Sequence, residues 1–159
     1  MSKPKVGFTL VELVACLAIL SVFGALVVVK TSSSLSRHQC SEFAERIQKM
    51  EFAARQRALE RAESIDVRYS NRRRTMHSET DSGVEVTNLV FPRAIHSIAI
   101  RTDRVWKNTE AIAISSRGFS RDYALRLKSK GQTVFLFFVG ATGQSVVCGA
   151  EEDVDELFE

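Results

Sequence analysis

A run of apolar residues near the N-terminus constrains this chain more than any other feature. From Leu13 to Val29 the only polar side chains are Cys16 and Ser21, and Lys30 ends the run. Counted from Phe8, a helix over this stretch would measure roughly 33 Å at ~1.5 Å per residue, enough to cross the hydrocarbon core of a bilayer. One charge, Glu12, sits near its start. An ionised carboxylate in hydrocarbon costs on the order of a few kcal/mol unless a cation meets it, which makes Glu12 a candidate functional residue. A cut between Gly7 and Phe8 would supply that cation. The new α-amino group at Phe8 would stand one helical turn from Glu12, on the same face.

The stretch Gly7-Phe8-Thr9-Leu10-Val11-Glu12-Leu13, behind a leader carrying Lys3 and Lys5, resembles the cleavage and methylation motif of type IV prepilins and type II secretion pseudopilins. The resemblance implies that a membrane-bound prepilin peptidase and N-methyltransferase cuts after Gly7 and methylates Phe8. It also implies that Glu12 guides docking of the subunit into a helical filament of other pilins or pseudopilins. Two other readings of the segment are a secretory signal peptide and a plain single-pass anchor. Against the first, the run is longer than a usual signal core, Glu12 interrupts it and no A-x-A site follows. The second leaves Glu12 without a purpose. Loop charge does not set the orientation, because Lys3 and Lys5 compete with Lys30 and Arg37. The family resemblance implies a single pass through the bacterial inner membrane, with the C-terminal domain in the periplasm.

The remaining residues suit one domain. The chain has 159 residues, 45% of them hydrophobic, with ten Phe, enough to supply a core rather than a disordered chain. The net charge of +3 includes the leader lysines, so bulk charge selects no partner. Residues 1–7 read as leader, 8–29 as the transmembrane and assembly helix, 30–64 as its amphipathic continuation, 65–148 as a β-sheet domain and 149–159 as a solvated, frayed acidic tail. In the continuation, Cys40, Phe43, Ile47, Met50, Ala54 and Ala58 recur at spacings of three and four, giving one apolar face. Glu42, Glu45, Lys49, Arg55 and Glu60 fall at other positions. Strand patterns follow over 65–69, 84–91, 95–100, 111–115, 123–128, 133–139 and 144–148. A hairpin turn is expected at Ser129-Lys130-Gly131-Gln132. No second helical pattern separates these strands, which predicts an α+β fold: a long N-terminal helix packed on an antiparallel sheet. Arg55-Gln56-Arg57-Ala58-Leu59 on the helix and Ser116-Arg117-Gly118-Phe119 between strands resemble H-type minor pseudopilins and FimT-like pilins.

Catalytic, cofactor and metal signatures are not found in the sequence. Phe138-Val139-Gly140-Ala141-Thr142-Gly143-Gln144 follows an apolar strand, yet it has neither the third small residue of a dinucleotide loop nor the Lys of a Walker loop, so it reads as a β-turn. His38, His77 and His96 are scattered, and the acidic tail lacks the spacing of an EF-hand. For Cys40 and Cys148, an oxidising compartment allows a disulfide between helix and last strand; two buried free thiols are the other reading. Arg72, Arg73 and Arg74, with basic loop residues and Trp106 and Phe119 further on, could hold nucleic acid; a solvated face or a contact with acidic partner pilins is the other reading. The expected function is a non-enzymatic minor pseudopilin of a type II secretion filament. The alternative is a minor pilin of a DNA-uptake system.

Overall fold

The computed structural model describes residues 10–108 and 111–158, without the side chains of 22–37. Gly7 and Phe8 lie outside the described residues. The chain divides into two compact units, Met1–Leu35 and Ser36–Glu159, and each is described by itself. Helix α1 runs Leu10–Arg61.

In the first unit the side chains from Leu10 to Ser21 are all exposed, Leu10 and Leu20 among them. Among the described residues no helix is long and apolar enough to cross a membrane. The expected span over 8–29 therefore finds no support in the structure. The described apolar part, Leu10–Ser21, would measure only about 18 Å as a helix at ~1.5 Å per residue.

In the second unit the expected stripe is buried as read: Cys40, Phe43, Ile47, Met50, Ala54 and Ala58 all face the core. Two charged residues share that face, Glu51 and Arg55. The helix stops where Ala62 turns into the left-handed region (φ 53°), letting the Glu63 amide donate to the Ala58 carbonyl.

Among the described residues nine strands follow, all pairing antiparallel in two sheets. They are β1 (Ile65–Ser70), β2 (Thr75–Thr80), β3 (Glu85–Val90), β4 (Ile95–Arg101), β5 (Trp106–Lys107), β6 (Ala111–Ile114), β7 (Tyr123–Ser129), β8 (Gln132–Phe138) and β9 (Ser145–Cys148). The first sheet has the order β3-β2-β1-β6 and the second β5-β4-β7-β8-β9. The fold class is thus the expected α+β, with one correction: the single sheet is two. Strands β2 and β5 lie outside the strand patterns of the sequence.

Strand alternation sorts the second sheet's side chains onto two faces. Ile98, Ile100, Leu125, Leu127, Leu136 and Phe138 join the α1 stripe and the first sheet's Ile65, Val67, Met76, Ile112 and Ile114 in the main core. The adjacent pair Tyr123 and Phe138 stacks at 4.8 Å. The opposite face presents Ala124, Phe135, Phe137 and Cys148. Here the acidic tail is corrected too. It folds as helix α2 (Glu151–Leu157) and covers that face, with Val154 fully buried and Phe158 edge-on to Phe137 at 5.0 Å. Its acids have partners: Asp155 pairs with Arg101, and Glu151 accepts from the Trp106 indole N–H at 2.5 Å. Asp153 caps the amides of Gly149 and Ala150, both at 3.0 Å.

Candidate functional site

Glu12 lies in the first turn of α1, solvent-exposed, and its neighbours Leu10, Val11, Leu13 and Val14 are more than half exposed. The arrangement is a carboxylate on an apolar helix surface. Such a surface excludes water when another helix packs on it, and its charge then requires a cation.

The second unit is held around a buried arginine that the sequence spacing sets apart from the apolar stripe. Arg55 is 6% exposed and Glu51 fully buried. The guanidinium donates through Nε and Nη2 to Glu51 Oε1 at 2.9 and 2.8 Å. Its Nη1 donates to the carbonyls of Gly118 (2.7 Å) and Gly140 (2.8 Å), and Nη2 also reaches Ser120 Oγ at 2.8 Å. One side chain thus fastens α1 to the β6–β7 loop and the β8–β9 turn. Gly143 makes room for it: a Cβ there would stand 2.6 Å from Arg55 Cδ. Burial pushes the Tyr123 phenol well above its usual range, and the neighbouring Glu51 carboxylate adds to the effect. A sequence signal for this pair existed, because a Glu and an Arg four apart on an apolar stripe are placed to meet.

The three consecutive arginines separate. Arg72 and Arg73 are exposed in the β1–β2 turn. Arg74 turns inward in the left-handed region (φ 55°), and its Nη2 donates to the carbonyls of Pro92 (2.9 Å) and Ile95 (2.8 Å). Trp106 is not available for base stacking: its indole serves Glu151, and the Arg126 guanidinium lies 4.7 Å from its ring. Phe119 is exposed.

Cys40 and Cys148 are both free and both buried. Cys40 lies on α1 in the main core, whereas Cys148 stands opposite Phe135 on the face covered by α2. The second sheet lies between them, which corrects the disulfide expectation. Burial raises both thiols above their usual range, with Asp153 adding at Cys148. Among the described residues no three His, Cys, Asp or Glu side chains gather as a metal site. The 139–143 segment forms a tight turn, with the Gly143 amide donating to the Val139 carbonyl at 2.7 Å, and leads into a strand.

No protein-family model matches the sequence, and no curated protein matches it. Among solved structures, the chain is similar to the minor pseudopilin EpsH from the type 2 secretion system of Vibrio cholerae. The TM-score is 0.55 with 10% identity, over 70% of this chain and 97% of that one. The fold is pilin-like. At this identity the likeness concerns the fold alone.

Proposed function

We propose that this chain is a structural, non-enzymatic minor pseudopilin of a type II secretion filament. The observation that carries the reading is a conjunction. The Gly7-Phe8…Glu12 pattern opens an apolar run of sequence, and the chain goes on into a domain whose fold is similar to that of a minor pseudopilin. In this reading a prepilin peptidase cuts between Gly7 and Phe8 and methylates Phe8, and residues 8–29 anchor the chain in the inner membrane with the second unit in the periplasm. Glu12 recruits the chain by meeting a neighbour's N-terminal amine, where exclusion of water strengthens the pair. The nucleic-acid alternative gains no support, since Arg74 is committed to backbone carbonyls and Trp106 to Glu151.

The test is protein export in a strain lacking the chain, restored with wild type or Glu12→Ala. Export falls without the chain, and only wild type restores it. Glu12→Ala is still processed and inserted, because removing a charge eases insertion. Full restoration by Glu12→Ala would remove the role assigned to Glu12, and undiminished export in the deletion strain would refute the secretion reading. Replacing Gly7 with a bulky residue leaves the leader attached; a normal mature N-terminus in that variant would refute the cleavage assignment.

A further inference from the structure

The face of the second sheet that turns away from α1 forms an aromatic seat of its own. Ala124, Phe135, Phe137 and Cys148 line it, and Trp106 packs against them. This cluster is separate from the main core on the sheet's other face. Two guanidiniums stand at the seat. Arg101 is buried and lies 4.9 Å from the Phe158 ring, and Arg126 lies 4.7 Å from the Trp106 ring.

Helix α2 fills the seat with one face. Glu151, Val154, Asp155 and Phe158 fall at i, i+3, i+4 and i+7, the spacing of anchors on a helix laid in a groove. Glu151 approaches Arg126 at 3.7 Å and accepts the Trp106 indole N–H, Val154 is fully buried, Asp155 pairs with Arg101, and Phe158 meets Phe137. Glu152 and Glu156, off this face, are exposed.

The hold is weak. Seven residues are too few for a helix to persist by itself. The last turn carries Asp155 and Glu156 and no basic residue, opposed to the helix dipole. The match to the arginines is incomplete as well. The approach of Glu151 to Arg126 is longer than a hydrogen bond, and the buried Arg126 Nε has no acceptor among the described residues. Because the main core packs on the sheet's other face, α2 can leave without opening it.

We propose that α2 is a displaceable latch, and that the seat beneath it receives an acidic amphipathic helix of another protein with the same acid-x-x-apolar-acid-x-x-aromatic pattern. The seat specifies that occupant: two arginines require carboxylates one turn apart, and the rings between them require an apolar side chain and an aromatic one. A helix whose acid reaches Arg126 Nε makes the bond that α2 leaves unmade, and so displaces it. The proposal concerns the second unit alone and does not rest on the secretion reading.

The test uses the full chain in detergent with Cys16→Ser, which leaves Cys40 and Cys148 as reporters of the two faces of the sheet. Val154→Asp releases α2. Cys148 then reacts with a thiol reagent at least about a hundredfold faster than Cys40, while the melt stays cooperative. Phe158→Ala, a milder change, acts in the same direction. A fluorescent peptide of residues 149–159 binds the Val154→Asp chain, and binds wild type at least about tenfold more weakly because the chain's own latch competes. A helix of Ala and Lys carrying only the four anchors binds as that peptide does. Arg101→Glu with Arg126→Glu in the Val154→Asp chain abolishes both. If Cys148 and Cys40 become reactive together, α2 is part of the core and the latch is refuted. An opened chain that binds neither peptide, or binds them regardless of the arginines, refutes the seat. Dimers of the wild-type chain that the peptide dissolves would give the seat to α2 of a second copy, and the proposal would be wrong.

Discussion

Replacing Arg55 by Met keeps most of the side chain's volume and removes its charge and five donors. Glu51 is then left as a fully buried carboxylate without its guanidinium, and the Gly118 and Gly140 carbonyls lose their donors. Removing one partner of a buried pair costs about 3–5 kcal/mol, because the remaining charge is desolvated and uncompensated. For a unit of this size that is a drop of roughly 10–20 °C in melting temperature. Trp106 is the chain's single tryptophan and lies against Arg126, so its fluorescence reports the melt without a label. The internal control is Arg46→Met. Arg46 pairs with Glu42 at the same i,i+4 spacing, but the two side chains are 58% and 48% exposed, and the loss should stay below about 0.5 kcal/mol. Glu51→Gln falls between them, at about 1–2 kcal/mol, since it leaves Arg55 its carbonyl acceptors and a neutral one. If Arg55→Met melts no lower than Arg46→Met, burial does not govern this pair and the hub assigned to Arg55 is refuted.

Gly143→Ala should cost about 2–3 kcal/mol, because the left-handed backbone (φ 73°) and the approach to Arg55 Cδ act together. Gly131→Ala, at φ 78° with nothing within 4 Å, should cost only about 1 kcal/mol; equal melts would show that Arg55 exerts no steric pressure. The raised Tyr123 phenol favours the protonated, folded state. The stability it contributes is complete below the unfolded-state value of about 10 and is lost as pH rises past it. Tyr123→Phe should therefore leave neutral-pH stability nearly unchanged and flatten the alkaline decline seen by tyrosinate absorbance and melting; an unaltered decline contradicts the assignment. Reductant should not change the melting temperature, and Cys40 and Cys148 should react with a thiol reagent only on unfolding; a reductant-sensitive melt would restore the disulfide.

The features legible in the sequence are those set by local periodicity. The stripe from Cys40 to Ala58 follows from spacings of three to four and strand β1 from a spacing of two, and burial bears both out; the runs over 84–91 and 95–100 are strands as expected, although their burial does not alternate. Strand β2 was not legible, because Thr75-Met76-His77-Ser78-Glu79-Thr80 carries a single large apolar residue. Its inward positions are Met76, Ser78 and Thr80, and Ser78 spends its hydroxyl on Thr87 at 2.6 Å rather than on apolar contact. What makes it a strand is its register with β1, a relation no window of sequence contains. The same holds for α2: six acids in the last nine residues read as solvated until Arg101, Trp106 and Arg126, all distant in sequence, are placed beneath them. Charge is therefore where sequence proximity misleads most in this chain. The run Arg72-Arg73-Arg74 looks like one basic site, yet backbone geometry turns the third arginine inward to hold two turns together. The turns it holds bring Arg93, Lys128 and Lys130 to the first two, so the loss of one arginine from the run assembles a larger basic tip than the run itself supplied.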